Sequence, residues 1–445
     1  MKYSVFLLLI SCTVFSQRYS KDDKVKKYVS QVNEDSLKSY ISKLVSFETR
    51  HTLSSTDDPK RGIGAAREWV IRKFNDYAKN SGGRMEVYLQ QEDLQPDGKR
   101  VDKPVKLGNA IAFLKGTDPD DKRIFLIGGH LDSRVTDVMN RASAAPGAND
   151  DGSGVSAVIE SARILSRSSF PASIIFVAFS GEEQSLLGSK QLAEKIKSEG
   201  LQLEAVLNND MIGNPKAGET GEVNTRILRV FSEGLPYKDL DKKAITIRNL
   251  GFENDSESRQ LARYIKEITE QYVKGLEIKL IYRNDRFLRG GDHTSFVVNG
   301  FPSVRLTEYY ENYDHQHQDI RVENNKQYGD LPEFIDFKYL KKNVSANVAV
   351  LANLAKSTSQ PEKVEMDVKE LTNSTTLHWE KPKSGMPAGY YVLARETDSP
   401  VWQKKIFTTG LSVKIPLSKD NYIFAVQTVS QSGNPGVPVI PGIAK

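Results

Sequence analysis

The sequence predicts an α/β protein: a mixed, largely parallel central sheet with helices on both faces, followed by a small all-β sandwich. Three observations carry this. Between Met85 and Leu354, short runs rich in β-branched and aromatic residues alternate with segments of helical periodicity, the pattern of a sheet covered on both sides. Within one of these runs, Ile124 to Gly129 is continuously apolar, as a strand buried on both faces requires. Beyond Lys356 helical patterning stops and period-two stretches separated by turn residues take over.

Taken in order, the chain opens with MKYSVFLLLISCTVFSQ, one basic residue and an apolar core too short to span a bilayer comfortably. Residues 1–16 read as a signal peptide cut before Gln17, and the chain as one exported from a bacterial cell to the periplasm or medium. Leu9-Ile-Ser-Cys12 offers the alternative of a lipoprotein anchored to the membrane through Cys12. A polar lead-in covers 17–33, and helices are predicted at Asp35–Val45 and Gly62–Ala78, where apolar residues recur at helical spacing.

Strands are then predicted at Met85–Gln90, Asn109–Leu114, Arg123–Gly129, Ala172–Phe179, Glu204–Asn209, Ile227–Phe231, Leu276–Tyr282 and Ser303–Leu306. Helices are predicted at Ser153–Leu165, Leu187–Ser198, Ser256–Tyr272 and Lys338–Leu354. These make a unit over 34–356, joined by a polar linker, 357–364, to an all-β module over 365–445. That module resembles a fibronectin type III domain, with Trp379 and Tyr391 as core residues and Tyr422 placed like the tyrosine of its corner.

Composition removes several function classes. The 62 basic and 57 acidic residues are spread along the chain with no basic, aromatic-interleaved run, so there is no footprint for nucleic acid. Nothing after the signal is apolar enough to span a membrane, and a monomer is expected. Cys12 is the only cysteine, which excludes an internal disulfide and any thiolate metal site. A metal here has to be held by His, Asp and Glu.

Four short segments bring such residues to predicted strand ends: His130-Leu-Asp132 with Asn149-Asp150-Asp151-Gly, Ser180-Gly-Glu182-Glu183, Asn208-Asn-Asp210, and Tyr313-Asp-His315-Gln-His317-Gln-Asp319. Each alone has an ordinary structural reading, Asp150-Asp151 as a helix cap and Glu182-Glu183 as a solvated helix start. Together they supply two imidazoles and three carboxylates from different strand ends, a donor set suited to zinc. A two-metal site needs a bridging carboxylate, and Asp150 is placed for it. Asp132, two residues from His130 on an extended chain, is expected to take the proton of the imidazole nitrogen that does not bind metal. The adjacent glutamates divide into one ligand and one base. His51, alone in its loop, is read as structural.

In this order and spacing, GGHLDS, PGANDDGSG, FSGEEQSLLGS, NNDMIG, GGDHTSFVVNGFPSVRLTE and HQHQD resemble the signature of the di-zinc aminopeptidase family, over residues 45–355. Its relatives include glutamate carboxypeptidases, the transferrin-receptor ectodomain and glutaminyl cyclases. The resemblance implies two zinc ions, with His130, Asp150, Glu183, Asp210 and His315 as ligands and Asp150 as the bridge. It implies Glu182 as general base, supported by Asp132, in a peptidase that hydrolyses N-terminal residues from peptides by a hydroxide held between the zincs. His315 is chosen through the family's His four residues before an Asp, here Asp319, which leaves His317 in a supporting place. Asp292 matches a buried carboxylate near the family site, and His293 is structural.

The family's tyrosine before the last histidine is replaced by Asp314, with Tyr309, Tyr310 or Tyr313 as substitutes. Arg286 and Arg289 are candidates for a substrate carboxylate. The rivals are a glutaminyl cyclase-like acyl transferase on one zinc and a non-catalytic, receptor-like relative. GANDDGSG with an intact GEE argues for two metals, and no ligand is missing.

Overall fold

The structure, a computed structural model, describes residues 21–237, 240–369 and 371–444; the predicted signal segment, residues 1–16, and Cys12 lie outside them. The first unit holds nine helices, α1 (Asp23–Ser30), α2 (Glu34–Val45), α3 (Gly62–Ala78), α4 (Gly152–Leu165), α5 (Leu187–Ser198), α6 (Leu240–Leu250), α7 (Glu257–Tyr272), α8 (Asp292–Val298) and α9 (Phe337–Lys356), among the described residues. Its strands are β1 (Met85–Leu94), β2 (Val105–Leu114), β3 (Arg123–His130), β4 (Ser173–Phe179), β5 (Gln202–Asn209), β6 (Ile227–Ser232), β7 (Glu277–Ile281) and β8 (Ser303–Glu308), with a small hairpin of β9 (Arg321–Glu323) and β10 (Lys326–Tyr328).

The eight-stranded sheet runs β1-β2-β4-β3-β5-β8-β6-β7. Its middle four, β4, β3, β5 and β8, are mutually parallel, so their carboxyl ends lie along one edge. β1 and β2 are antiparallel, as are β2 and β4, and β6 and β8. Along β3, Phe125 and Ile127 pack in the larger core with α3, α4 and α9, while Ile124 and Leu126 pack with α5 and Phe296 of α8. Period-two side chains buried on both faces are the reason this strand is uniformly apolar.

Two glycines let α4 press its first turn onto the strand ends. A Cβ on Gly129 would meet Gly154 C at 2.7 Å, and one on Gly154 would meet Asn209 O at 2.5 Å. Larger residues there would push α4 away from β3 and β5.

Within the polar lead-in the structure has a helix. DKVKKYVS forms α1, capped by Asp22, whose carboxylate accepts from Lys24 N at 2.8 Å, and Val25 is fully buried. Val25, Tyr28 and Val29 form a stripe at i, i+3 and i+4 facing the core, which the surrounding lysines hide in a composition reading. The linker is also tighter than expected, since its last residues belong to β11 (Glu362–Met366).

The remaining strands, β12 (Thr375–Glu380), β13 (Pro387–Glu396), β14 (Lys404–Thr408), β15 (Ser412–Ile415), β16 (Tyr422–Ser430) and β17 (Gly442–Ile443), form sheets β15-β12-β11-β17 and β14-β13-β16. Leu377, Trp379, Val392, Phe424 and Val426 fill the space between them. The sandwich is held to the first unit by buried polar contacts. Asp255 pairs with Arg263 at 3.2 Å and with Arg395 of β13 at 2.6 Å, Asn434 Nδ2 donates to Asn353 Oδ1 at 2.9 Å, and the Tyr264 hydroxyl donates to Pro435 O at 3.0 Å.

Candidate metal centre

At the shared carboxyl edge, each of the four parallel strands delivers a side chain into one cluster. His130 ends β3, Glu182 and Glu183 follow β4, Asp210 follows β5, and the loop after β8 brings His317; Asp150 arrives from the turn that starts α4. Donor atoms fall into close sets of His130, Asp150 and Asp210, of Asp150, Glu183 and His317, and of His130, Glu182 and Glu183, each set within 4.8 Å.

Asp150 is shared between the first two sets. Its Oδ1 lies 3.1 Å from His130 Nε2 and its Oδ2 lies 3.0 Å from His317 Nε2. Burial alone would favour a neutral Asp150, but the histidines on its two oxygens outweigh it and hold the carboxyl well below its usual range. The backbone around it is fixed by Asp330, which accepts from Asn149 N at 2.9 Å and Asp150 N at 2.7 Å. The Asp150–Asp151 peptide bond is cis. Asp151 points the other way, accepting from His130 N at 3.0 Å and capping α4 through Gly154 N at 2.9 Å.

His317, not His315, enters the cluster. His317 Nε2 lies 2.8 Å from Glu183 Oε1, whereas the His315 ring stacks on Phe334 with centroids 3.6 Å apart. The segment is a turn in which His315 N and Gln316 N both donate to Asn312 O, and His317 takes φ 58°, so side chains two residues apart diverge rather than share a face. The family spacing to Asp319 points to His315, whereas the structure brings His317 into the cluster. Burial takes the His315 imidazole down to about 4, while the carboxylates of Glu183 and Asp150 overcome burial and lift His317 to about 10.

Asp132 supports the site by a different route from the expected one. His130 Nδ1 meets the Asp132 backbone carbonyl at 3.0 Å, with the carboxylate 3.9 Å away. The carboxylate instead accepts from the backbone N–H groups of Gly181, Glu182 and Glu183 at 2.9, 3.2 and 3.0 Å, and from the Thr52 hydroxyl at 2.8 Å. It thus fixes the loop that carries both glutamates. Burial, with Glu183 and Asp210 alongside, pushes the Glu182 carboxyl well above its usual range.

Several supporting residues had no place in the sequence reading. Arg305, fully buried in the middle of β8, sets Nη2 3.0 Å from Asp210 Oδ1 and Nη1 3.3 Å from Asp285 Oδ2. Arg134 Nε lies 2.9 Å from Glu183 Oε2, and Gln316 Nε2 donates to Asp150 Oδ2 at 3.0 Å. A charged residue inside the apolar run SVRL was a readable signal for Arg305; nothing local marked Arg134 or Gln316. Asp292 is buried, which pushes its carboxyl up to about 7. His51 is buried, with Nε2 2.8 Å from Val138 O, and His293 Nε2 lies 2.7 Å from Asn284 O.

Tyr309, Tyr310 and Tyr313 are absent from the walls of the roughly 280 Å³ cavity over the cluster. Tyr310 donates to Glu222 at 2.8 Å and Tyr313 is half exposed. With His317 in the site, the preceding residue is Gln316 rather than Asp314.

The cluster suits a borderline divalent cation. All its donors are imidazole nitrogen or carboxylate oxygen, without sulfur, and four carboxylates gathered in a buried space need cationic charge beyond the histidines and Arg305.

The comparisons agree with that chemistry. A family model described as Peptidase family M28 matches residues 109–331. A probable zinc metalloprotease of Leptosphaeria maculans is 41% identical over 428 residues, covering 96% of this chain and 99% of the relative. Another, of Pyricularia oryzae, is 40% identical over 430 residues, covering 95% and 85%. Among solved structures, the LapA aminopeptidase of Legionella pneumophila shares the fold with TM-score 0.54 at 18% identity, covering 80% of this chain and 78% of that one. The aminopeptidase from Aneurinibacillus sp. strain AM-1 does so with TM-score 0.50 at 15% identity, covering 76% and 96%.

The sequence relatives named here are fungal, which overturns the assignment to a bacterial cell. Among the described residues, no helix is long and apolar enough to cross a membrane. Since relatives of this identity extend over nearly the whole chain and the donor cluster falls inside the matched span, the chain belongs to peptidase family M28 and is a zinc metallopeptidase.

Proposed function

We propose that the chain is an exopeptidase of the aminopeptidase type that works with two zinc ions. The observation that carries this is the division of Asp150, one oxygen toward His130 and the other toward His317, the arrangement of a carboxylate shared by two cations. His130 and Asp210 then hold one ion and Glu183 and His317 the other. When bound, the zinc pair supplies Lewis-acid activation of water and of the scissile carbonyl.

Glu182 is the proton carrier. Its carboxylate lies within the donor cluster, where it can take a proton from the attacking water and hand it to the leaving amine as the C–O bond forms and the C–N bond breaks. Asp132 keeps it in place by gripping the backbone of 181–183. The aminopeptidases among the solved structures that share the fold support cleavage at the amino end. The strand order β15-β12-β11 against β14-β13-β16 supports reading the C-terminal sandwich as fibronectin type III-like.

The test is metal analysis joined to hydrolysis of free and N-acetylated peptides. Two zincs per chain and cleavage of the free peptides alone are expected. Glu182→Gln should keep the zinc and lose on the order of 10²–10⁴ in kcat. Equal cleavage of blocked peptides would exclude the aminopeptidase type, and one zinc would exclude the shared-carboxylate arrangement.

A further inference from the structure

The walls of the cavity over the cluster are unusual for a pocket meant to take an apolar side chain. Leu186 is the single apolar residue among those lining it, and four arginines, Arg100, Arg134, Arg286 and Arg289, line it as well. Four carboxylates line the floor: Asp150, Glu182, Glu183 and Asp210. Two divalent cations would offset those four charges, so a guanidinium without a carboxylate of its own adds positive charge to the pocket.

Two of the four are answered within the protein. Arg134 is paired with Glu183 at 2.9 Å, and Arg286 with Glu311 at 3.1 Å and Asp285 at 3.3 Å. Among the described residues the other two have no carboxylate partner. Arg100 Nη1 reaches only the Glu183 carbonyl at 3.4 Å, and among the described residues the exposed Arg289 guanidinium has no hydrogen-bond or ion-pair partner. Guanidinium matches carboxylate in charge and in its two-pronged geometry.

We infer that Arg100 and Arg289 select peptides bearing a carboxylate at the mouth of the metal pocket, from an acidic side chain at the amino end or from the terminal carboxylate of a short peptide. This rests on the peptidase reading of the cavity. In that reading the metal centre performs the hydrolysis and the two arginines choose the substrate, so peptides of aspartate, glutamate or two to three residues are preferred over long, uncharged ones.

The experiment separates recognition from turnover. Binding is measured calorimetrically to the zinc-loaded full chain carrying Glu182→Gln, with Glu-Ala-Ala against Gln-Ala-Ala and Ala-Ala-Ala against its C-terminal amide. The charged member of at least one pair should bind about tenfold or more tightly, and the pair in which this occurs identifies the carboxylate. Adding Arg100→Gln and Arg289→Gln should bring the ratio below about twofold, and Arg289→Lys should restore part of it. Equal binding within both pairs, no binding, or a preference that survives the double substitution overturns the inference. Hydrolysis by the unsubstituted chain is read separately. Cleavage without carboxylate preference defeats the inference and leaves the peptidase standing. Arginine-dependent binding without cleavage of any peptide does the reverse.

Discussion

His317 Nε2 stands 2.8 Å from Glu183 Oε1, while His315, two residues earlier, is stacked on Phe334. The two histidines should therefore separate cleanly on substitution. His317→Ala should remove one zinc per chain and lower kcat/KM by more than the ~10–100-fold that loss of a supporting residue costs. His315→Ala should keep both zincs and lose about 1 kcal/mol of stability with the stacked pair. Metal content and chemical denaturation of both variants check this; zinc lost from the His315 variant instead would reverse the assignment.

Asp132 serves three backbone N–H groups with two oxygens. In Asp132→Asn one of those oxygens becomes a donor facing donors, so the 181–183 loop should slacken. Zinc affinity should fall by roughly 10–100-fold. Titration with a competing chelator measures it, and an unchanged affinity would show that the loop is held by other contacts.

Glu204, on β5 at the end away from the metals, is raised by burial to about 7. The folded chain thus holds its proton more tightly than the unfolded chain, whose glutamate has the ordinary value near 4.5. That stability is fully present below the unfolded value and is lost as pH rises through the folded one. Glu204→Gln should match the parent at pH 4 and exceed it at pH 8, by on the order of 1–3 kcal/mol. Melting curves at the two pH values test it; an equal difference at both would mean that Glu204 does not titrate in this window.

Asp255 binds Arg263 of α7 and Arg395 of the sandwich, and all three side chains are buried. Asp255→Ala leaves two guanidiniums without their carboxylate and should cost about 3–5 kcal/mol. Zinc binding should be preserved, because none of these residues touches the cluster. Limited proteolysis near residues 357–364 should accelerate; unchanged proteolysis would mean the two units hold together without this pair.

Much of this was readable from the chain. The buried strand Ile124–Gly129, the glycine-rich start of α4 and the glutamate pair after β4 each have a local pattern, because burial on two faces, close helix approach and strand-end loops all leave marks in neighbouring residues. What escaped depends on contacts distant in sequence or on turn geometry. The choice between His315 and His317 is made by one residue at positive φ, and both are followed by glutamine. The placement of the Asp132 carboxylate depends on a loop 50 residues away. α1 was hidden because three apolar residues among lysines suffice when a long helix is ready to receive them.

The six cluster residues extend from His130 to His317, and every parallel strand of the sheet must be seated before the last imidazole arrives. A chain emerging from the ribosome holds His130, Asp150, both glutamates and Asp210 well before His317 is made. With the cluster as the hydrolytic site, competence is thus deferred until the loop after β8 has brought His317 into place.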